Sequence, residues 1–302
     1  MLVKYCNAEC QKKHWPKHKK PCKLRVAELH DDEALFKDPP LKEDCPICFL
    51  PMPARLLSCA SLPPANISSV PIYDFSIANE GLSKMEMELY SPCCGKTICK
   101  GCMYSCCKSG NDKCPFCNSY QGNTTDEEDI LERVRKRVEA NDAESICQLG
   151  SYYYDGFGGL QQDQTRAIEL YVRAANLCNS QAHHQLADIY NEGGNLKKAK
   201  FHYEAAAMAG DEDARYNLGC LEAQSVQSVN IERAVKHWTI GASAGCYRAM
   251  FTLRSLFDDD FVSRESIDST LAAYNNSCAE MRSEARDAAI QLEMDTIFFP
   301  PY

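Results

Sequence analysis

The chain has 302 residues, 45% hydrophobic and 25% charged. That allows about two globular units and a smaller module, and is inconsistent with collagen, wholesale disorder or a chain mostly embedded in a membrane. Residues 1–25 hold eight Lys/Arg against one acid while the other 277 hold 25 against 41, and a body that acidic argues against wrapping nucleic acid with the whole chain.

The N-terminus has no apolar core of the signal-peptide kind. The longest uncharged stretch, Leu56 to Tyr73, contains three prolines and reads as a loop, not a membrane span. No membrane association is expected, and the expected location is cytoplasmic or nuclear. Of the 19 cysteines, 14 lie at or before Cys117. Dense cysteines paired as C-x2-C without a secretory signal point to zinc rather than disulfides.

In chain order, residues 1–25 carry Cys6-x3-Cys10-x7-His18-x3-Cys22 in a lysine-rich setting. This is similar to the second half of a MYND zinc finger, a protein-interaction module. The resemblance leaves two alternatives. Either further ligands belong to a longer gene product, or Cys6, Cys10, His18 and Cys22 close one site of their own. His14 falls off the pattern, and Lys17-His-Lys-Lys reads first as a solvated face. Residues 26–42 are read as a linker.

Residues 43–120 contain Cys45-Pro-Ile-Cys48, Cys93-Cys94, Cys99-x2-Cys102 and Cys114-Pro-Phe-Cys117. Eight thiols in four pairs suffice for two tetrahedral zinc sites, each able to supply on the order of 10 kcal/mol of folding energy. The segment resembles an all-cysteine RING finger. The resemblance implies a cross-brace, with Cys45, Cys48, Cys99 and Cys102 on one zinc and Cys93, Cys94, Cys114 and Cys117 on the other. Cys106 or Cys107 is an alternative to one of the adjacent pair. It also implies that a ubiquitin-conjugating enzyme docks on Ile47 and Pro115. Two positions depart from many RING ligases, Cys106 standing for a tryptophan and Asn118 for an arginine. The stretch 49–92 reads as a flexible insertion.

After an acidic linker and helix at 121–138, a helical period repeats itself over 139–280. Leu149, Leu186, Leu218 and Leu253 recur at spacings of 37, 32 and 35. Four residues before them stand Ser145, Ala182, Ala214 and Ala249. A second column, Ala167, Ala199, Ala234 and Thr270, is followed four positions later by Tyr171, Tyr203, Trp238 and Tyr274. Small residues on one helix face let neighbours approach, and the aromatic fills the gap between helix pairs. These columns resemble Sel-1-like repeats, with the fourth degraded. Cys147, Cys178, Cys220, Cys246 and Cys278 are expected to be small packing residues. His183 and His184, adjacent on a helix, do not share a face and show no i, i+4 partner. Gly241-Ala-Ser-Ala-Gly245 imitates a nucleophile elbow, but Ser243 falls at a helix end, where Gly245 is expected as a terminating glycine. Residues 281–302 are read as a helix and tail.

The expected fold is a small zinc-stabilised α+β RING-like module followed by an all-α helical-repeat solenoid, with zinc the only cofactor. Two functions remain open: a RING-type ubiquitin ligase whose repeats select substrates, or a non-enzymatic scaffold whose repeat surface takes a protein or peptide ligand. A ligase of this kind has no nucleophile of its own and acts by proximity, so no catalytic residue is assigned.

Overall fold

The computed structural model describes residues 35–52, 88–110, 113–119, 127–224 and 230–298. These fall into two compact units: the described residues within 1–41, 92–95 and 121–240, and those within 42–91, 96–120 and 241–302.

The first unit is a stack of antiparallel helices: α2 (Glu127–Glu139), α3 (Ala143–Asp155), α4 (Gln164–Ala175), α5 (Ser180–Glu192), α6 (Leu196–Met208), α7 (Glu212–Gln224) and α8 (Ile231–Ser243), whose last three residues fall in the second unit. The starts are fixed by side-chain caps. Asp142, Asn179 and Asp211 accept from the backbone amides of Ser145, Ala182 and Ala214, opening the first helix of each pair. Asp163, Asn195 and Asn230 open the second helices in the same way. Each cap satisfies an amide that the helix leaves without a partner, worth about 1 kcal/mol.

The two columns read from the sequence form the core. Ala167, Ala199 and Ala234 are fully buried, and Tyr171, Tyr203 and Trp238 nearly so. Tyr171 and Trp238 each lie over the glycine that follows the column leucine. A methyl group on Gly150 would stand 2.8 Å from Tyr171 Cε1, and one on Gly219 would stand 2.4 Å from Trp238 Nε1. The Tyr171 hydroxyl donates to Ser151 and the Trp238 indole to the Tyr216 carbonyl, so neither polar tip is buried unpaired. Leu35, which the sequence leaves in a linker, is inserted into the core of the second repeat beside Ala187, Ala206 and Leu218.

In the second unit, strands β1 (Glu88–Ser91) and β2 (Lys96–Cys99) form an antiparallel hairpin with Leu89 opposite Ile98, and β2 runs directly into α1 (Lys100–Lys108). Cys45, Met52, Ile98, Cys99 and Cys102 make a core of five buried side chains. Such a core is too small to hold a fold without a staple. The same unit contains the helix pair α9 (Tyr247–Asp258) and α10 (Arg264–Met281), followed by α11 (Glu284–Phe298), which packs on α1. The contact is close: a methyl group on Gly101 of α1 would meet the Arg286 amide nitrogen at 2.5 Å.

Gly245 has φ +100°, and its amide bonds the Ala242 carbonyl at 2.9 Å. It ends α8, and Ser243 is the last residue of a helix rather than the tip of a strand–helix turn. One packing expectation is corrected. Cys178 is exposed, with φ 64°, in the turn after α4, whereas Cys147 and Cys246 are buried as expected. No helix among the described residues is long and apolar enough to cross a membrane.

Candidate metal centre

Two loops of identical shape present the C-P-x-C pairs. In the first, the Cys45 amide bonds the Leu50 carbonyl and the Phe49 amide bonds Cys45. In the second, the Cys114 amide bonds Ser119 and the Asn118 amide bonds Cys114. Phe49 and Asn118, each just past the second cysteine, share φ 56°. This left-handed conformation turns both thiols of a pair to one side, and asparagine adopts it more readily than most residues.

The first pair meets Cys99, the last residue of β2, and Cys102, in the first turn of α1. Cys45 Sγ lies 3.8 Å from Cys102 Sγ and Cys48 Sγ lies 3.9 Å from Cys99 Sγ, with all four sulfurs within 4.8 Å of one another. Thiolates about 2.3 Å from a tetrahedral zinc stand roughly 3.8 Å apart, so the donor set fits zinc. None of the eight thiols is joined in a disulfide. Cys93 and Cys94, in the turn of the hairpin, and Cys114 and Cys117 form a second group whose ligand atoms also lie within 4.8 Å of one another. Cys106 and Cys107 belong to neither group.

Electrostatics favour a cation at the first tetrad. Burial alone would push the Cys45 thiol up, but the backbone around Cys99, Cys48 and Ile47 outweighs it and brings the group down to about 7. Burial raises Cys99, with Arg286 opposing, and raises Cys102 further. Cys45 is therefore accessible as a thiolate near neutral pH, while Cys99 and Cys102 resist ionisation unless a metal compensates the charge. Arg286 supplies part of that compensation. It is 1% exposed, its Nη2 donates to Cys48 Sγ at 3.5 Å, and its Nη1 donates to the carbonyls of Pro51 at 2.8 Å and Met281 at 2.6 Å. Nothing in the local sequence marks this arginine.

Ile47 is half-buried against the small core and Pro115 is exposed. Cys6, Cys10, His18 and Cys22 lie outside the described residues, as do Cys59 and most of the expected insertion. His183 and His184 diverge as the helix geometry requires. His183 Nδ1 meets His202 Nδ1 at 3.0 Å, while His184 Nδ1 meets the Asp211 carboxylate at 3.0 Å. His202 and Asp211 lie on or next to other helices, but the expectation of no i, i+4 partner is corrected for His184, whose Nε2 pairs with the Asp188 carboxylate at 3.5 Å one turn on.

Residues 1–22 match the MYND zinc finger of the ZMYND11/ZMYD8 type. Residues 143–177, 180–211 and 212–246 each match the Sel1 repeat. The chain therefore carries a MYND-type zinc finger and Sel1 repeats, and these repeats are the helix pairs α3–α4, α5–α6 and α7–α8. Among solved structures it is similar to a Sel1 repeat protein from Oxalobacter formigenes, at 22% identity and a TM-score of 0.45, covering 62% of this chain and 74% of that one. It is also similar to c5321, a protective antigen of uropathogenic Escherichia coli displaying an SLR fold, at 23% identity and a TM-score of 0.44, covering 62% of this chain and 38% of that one. No match was found among curated proteins.

Proposed function

We propose that the chain is a zinc-binding scaffold for protein–protein contact, in which the MYND finger and the Sel1 repeats are the contact surfaces and the two cysteine tetrads are structural zinc sites. The observation that carries this reading is the closed tetrad Cys45, Cys48, Cys99 and Cys102 at zinc–thiolate spacing. Four protein ligands leave no open coordination position for a substrate, the mark of a structural rather than a catalytic site. Helical repeats supply extended surfaces suited to a protein or peptide ligand.

A second reading is favoured by one feature. The tetrads interleave along the chain, as in the cross-brace of a RING finger, and Ile47 and Pro115 would then receive a ubiquitin-conjugating enzyme. Ubiquitin release from a panel of charged conjugating enzymes onto free lysine separates the two. The scaffold reading expects no acceleration by zinc-loaded protein. Acceleration abolished by Ile47→Ala with zinc content unchanged would replace it with the ligase.

A further inference from the structure

We propose that the face of the second and third Sel1 repeats is a receptor for a short linear segment carrying a leucine–aromatic pair, and that Leu35–Phe36 of this chain occupies it in cis. The proposal deepens the scaffold reading and rests on it, because it names the chemistry of the ligand that the repeats take.

The seat for the leucine is built from small side chains. Leu35, which is 2% exposed, belongs to one buried cluster with Ala187, Ala199, Ala206, Ala207 and Ala214, and with Tyr203 and Leu218. Alanines at these positions leave the volume that one branched aliphatic side chain fills. The backbone of the segment is recognised as well. Arg215 is 2% exposed, and its Nη1 donates to the Leu35 carbonyl while its Nη2 donates to the Ala207 carbonyl at 2.9 Å. A buried guanidinium committed to one repeat carbonyl and one segment carbonyl reads the main chain of an incoming peptide, whatever side chains flank the pair.

The aromatic position is distinct. The Phe36 ring centroid lies 4.6 Å from that of His237, with Arg233 Cζ 5.0 Å and Lys236 Nζ 5.6 Å over the ring. Two cations on one ring favour an aromatic over an aliphatic side chain. Beyond it, Pro40 Cγ comes within 3.3 Å of where a side chain on Gly210 would begin, and Gly210 has φ +99°. A larger residue there would block the exit of the segment.

The contact also contains its own weakness. His237 is fully buried, and among the described residues neither ring nitrogen has a hydrogen-bond partner. Burial, with Arg215, Arg233 and Lys200 nearby, holds it at about 3, so the ring is neutral. Departure of the segment would let water reach groups now shielded beside Phe36, which lowers the cost of opening. A segment tethered to its own receptor acts at an effective concentration on the order of millimolar. A ligand in trans must therefore compete, and the repeats are self-occupied until one does.

The test uses the full chain and a fluorescein-labelled peptide of residues 33–42. Leu35→Ala/Phe36→Ala protein should bind the peptide at least ten-fold more tightly than the natural chain, and a peptide carrying the same two alanines should not bind either. Equal affinity for both proteins, binding of the alanine peptide, or no binding by a variant that keeps its helical circular dichroism would overturn the proposal. Should the variant lose that signal, hydrogen exchange of the natural chain decides. Excess peptide should accelerate exchange at residues 35–41, and unchanged exchange counts against displacement. Zinc content measured on the same samples reports on the scaffold reading separately, so the two can fail independently.

Discussion

Arg286 Nη2 donates to Cys48 Sγ at 3.5 Å from a position 238 residues further along the chain. The contact aims a buried cation at a cluster whose charge, when loaded with zinc, is formally −2. Outer contacts of this kind tune metal affinity by about 10- to 100-fold. Arg286→Leu should therefore weaken zinc binding at the first tetrad by that factor and leave the second tetrad unchanged, read by chelator competition and by the charge-transfer spectrum of the cobalt-substituted protein. Arg286→Lys should lie between the two, because an ammonium keeps the charge but cannot reach several acceptors at once.

Metal removal should separate the two units. The cores of the first and second repeats contain none of the eight tetrad cysteines. Chelation should abolish protection of the amides around Ile98 and Cys99 while the helices α3 to α6 keep their hydrogen-exchange protection. Loss of protection in both regions together would refute this. Elemental analysis of the intact chain should find at least two zinc ions.

Gly219 offers a test whose sign is diagnostic. Glycine to alanine inside a helix ordinarily gains about 1 kcal/mol. Here the added methyl would stand 2.4 Å from Trp238 Nε1, and overpacking of that kind costs about 1–3 kcal/mol. Gly219→Ala should destabilise the repeats in a denaturant titration. Trp238→Ala should cost roughly 3 to 5 kcal/mol.

A pH dependence follows from His184. Burial alone would lower it, but Asp211 first, then Asp188 and Asp213, raise it to about 9, while the edge-on Tyr203 ring adds no charge. The folded value lies above the ordinary 6.5, so this pair's stabilisation is fully present below about pH 6.5 and is lost as pH rises through about 9. The thermal midpoint of the repeats should fall across that window, and His184→Gln should flatten the fall.

Much of the architecture was legible because it is periodic. The leucine, alanine and aromatic columns recur at nearly fixed intervals, and packing depends on the interval more than on any one residue. The capping residues Asp142, Asn179 and Asp211 repeat at the same 37 and 32 residue spacings as the leucines and could have been read too. The glycines beneath Tyr171 and Trp238 follow the column leucines directly and were equally visible. The four cysteine pairs showed thiols enough for two zinc sites, whereas their division into two tetrads came from the resemblance to a RING finger and not from spacing. The contacts of Arg286, of Leu35 with Arg215, and of His183 with His202 were not legible. Each joins side chains that have no periodic relation in sequence, and only the packed helices bring them together. Asn118 lies between these cases. The resemblance to a RING finger set it where many such ligases have arginine, while its left-handed backbone was not legible, and that backbone makes Asn118→Arg a strained substitution.

The packing of α11 on α1 has a consequence for the order of synthesis. Ribosomes add about 5–20 residues per second, so Arg286 follows Cys48 by roughly 12 to 48 s. During that interval the thiols of the first tetrad are available to metal, oxidant or chaperone without the arginine that later covers them. A nascent chain that takes zinc at this tetrad must either load it early or keep four reduced cysteines waiting until Arg286 has been added.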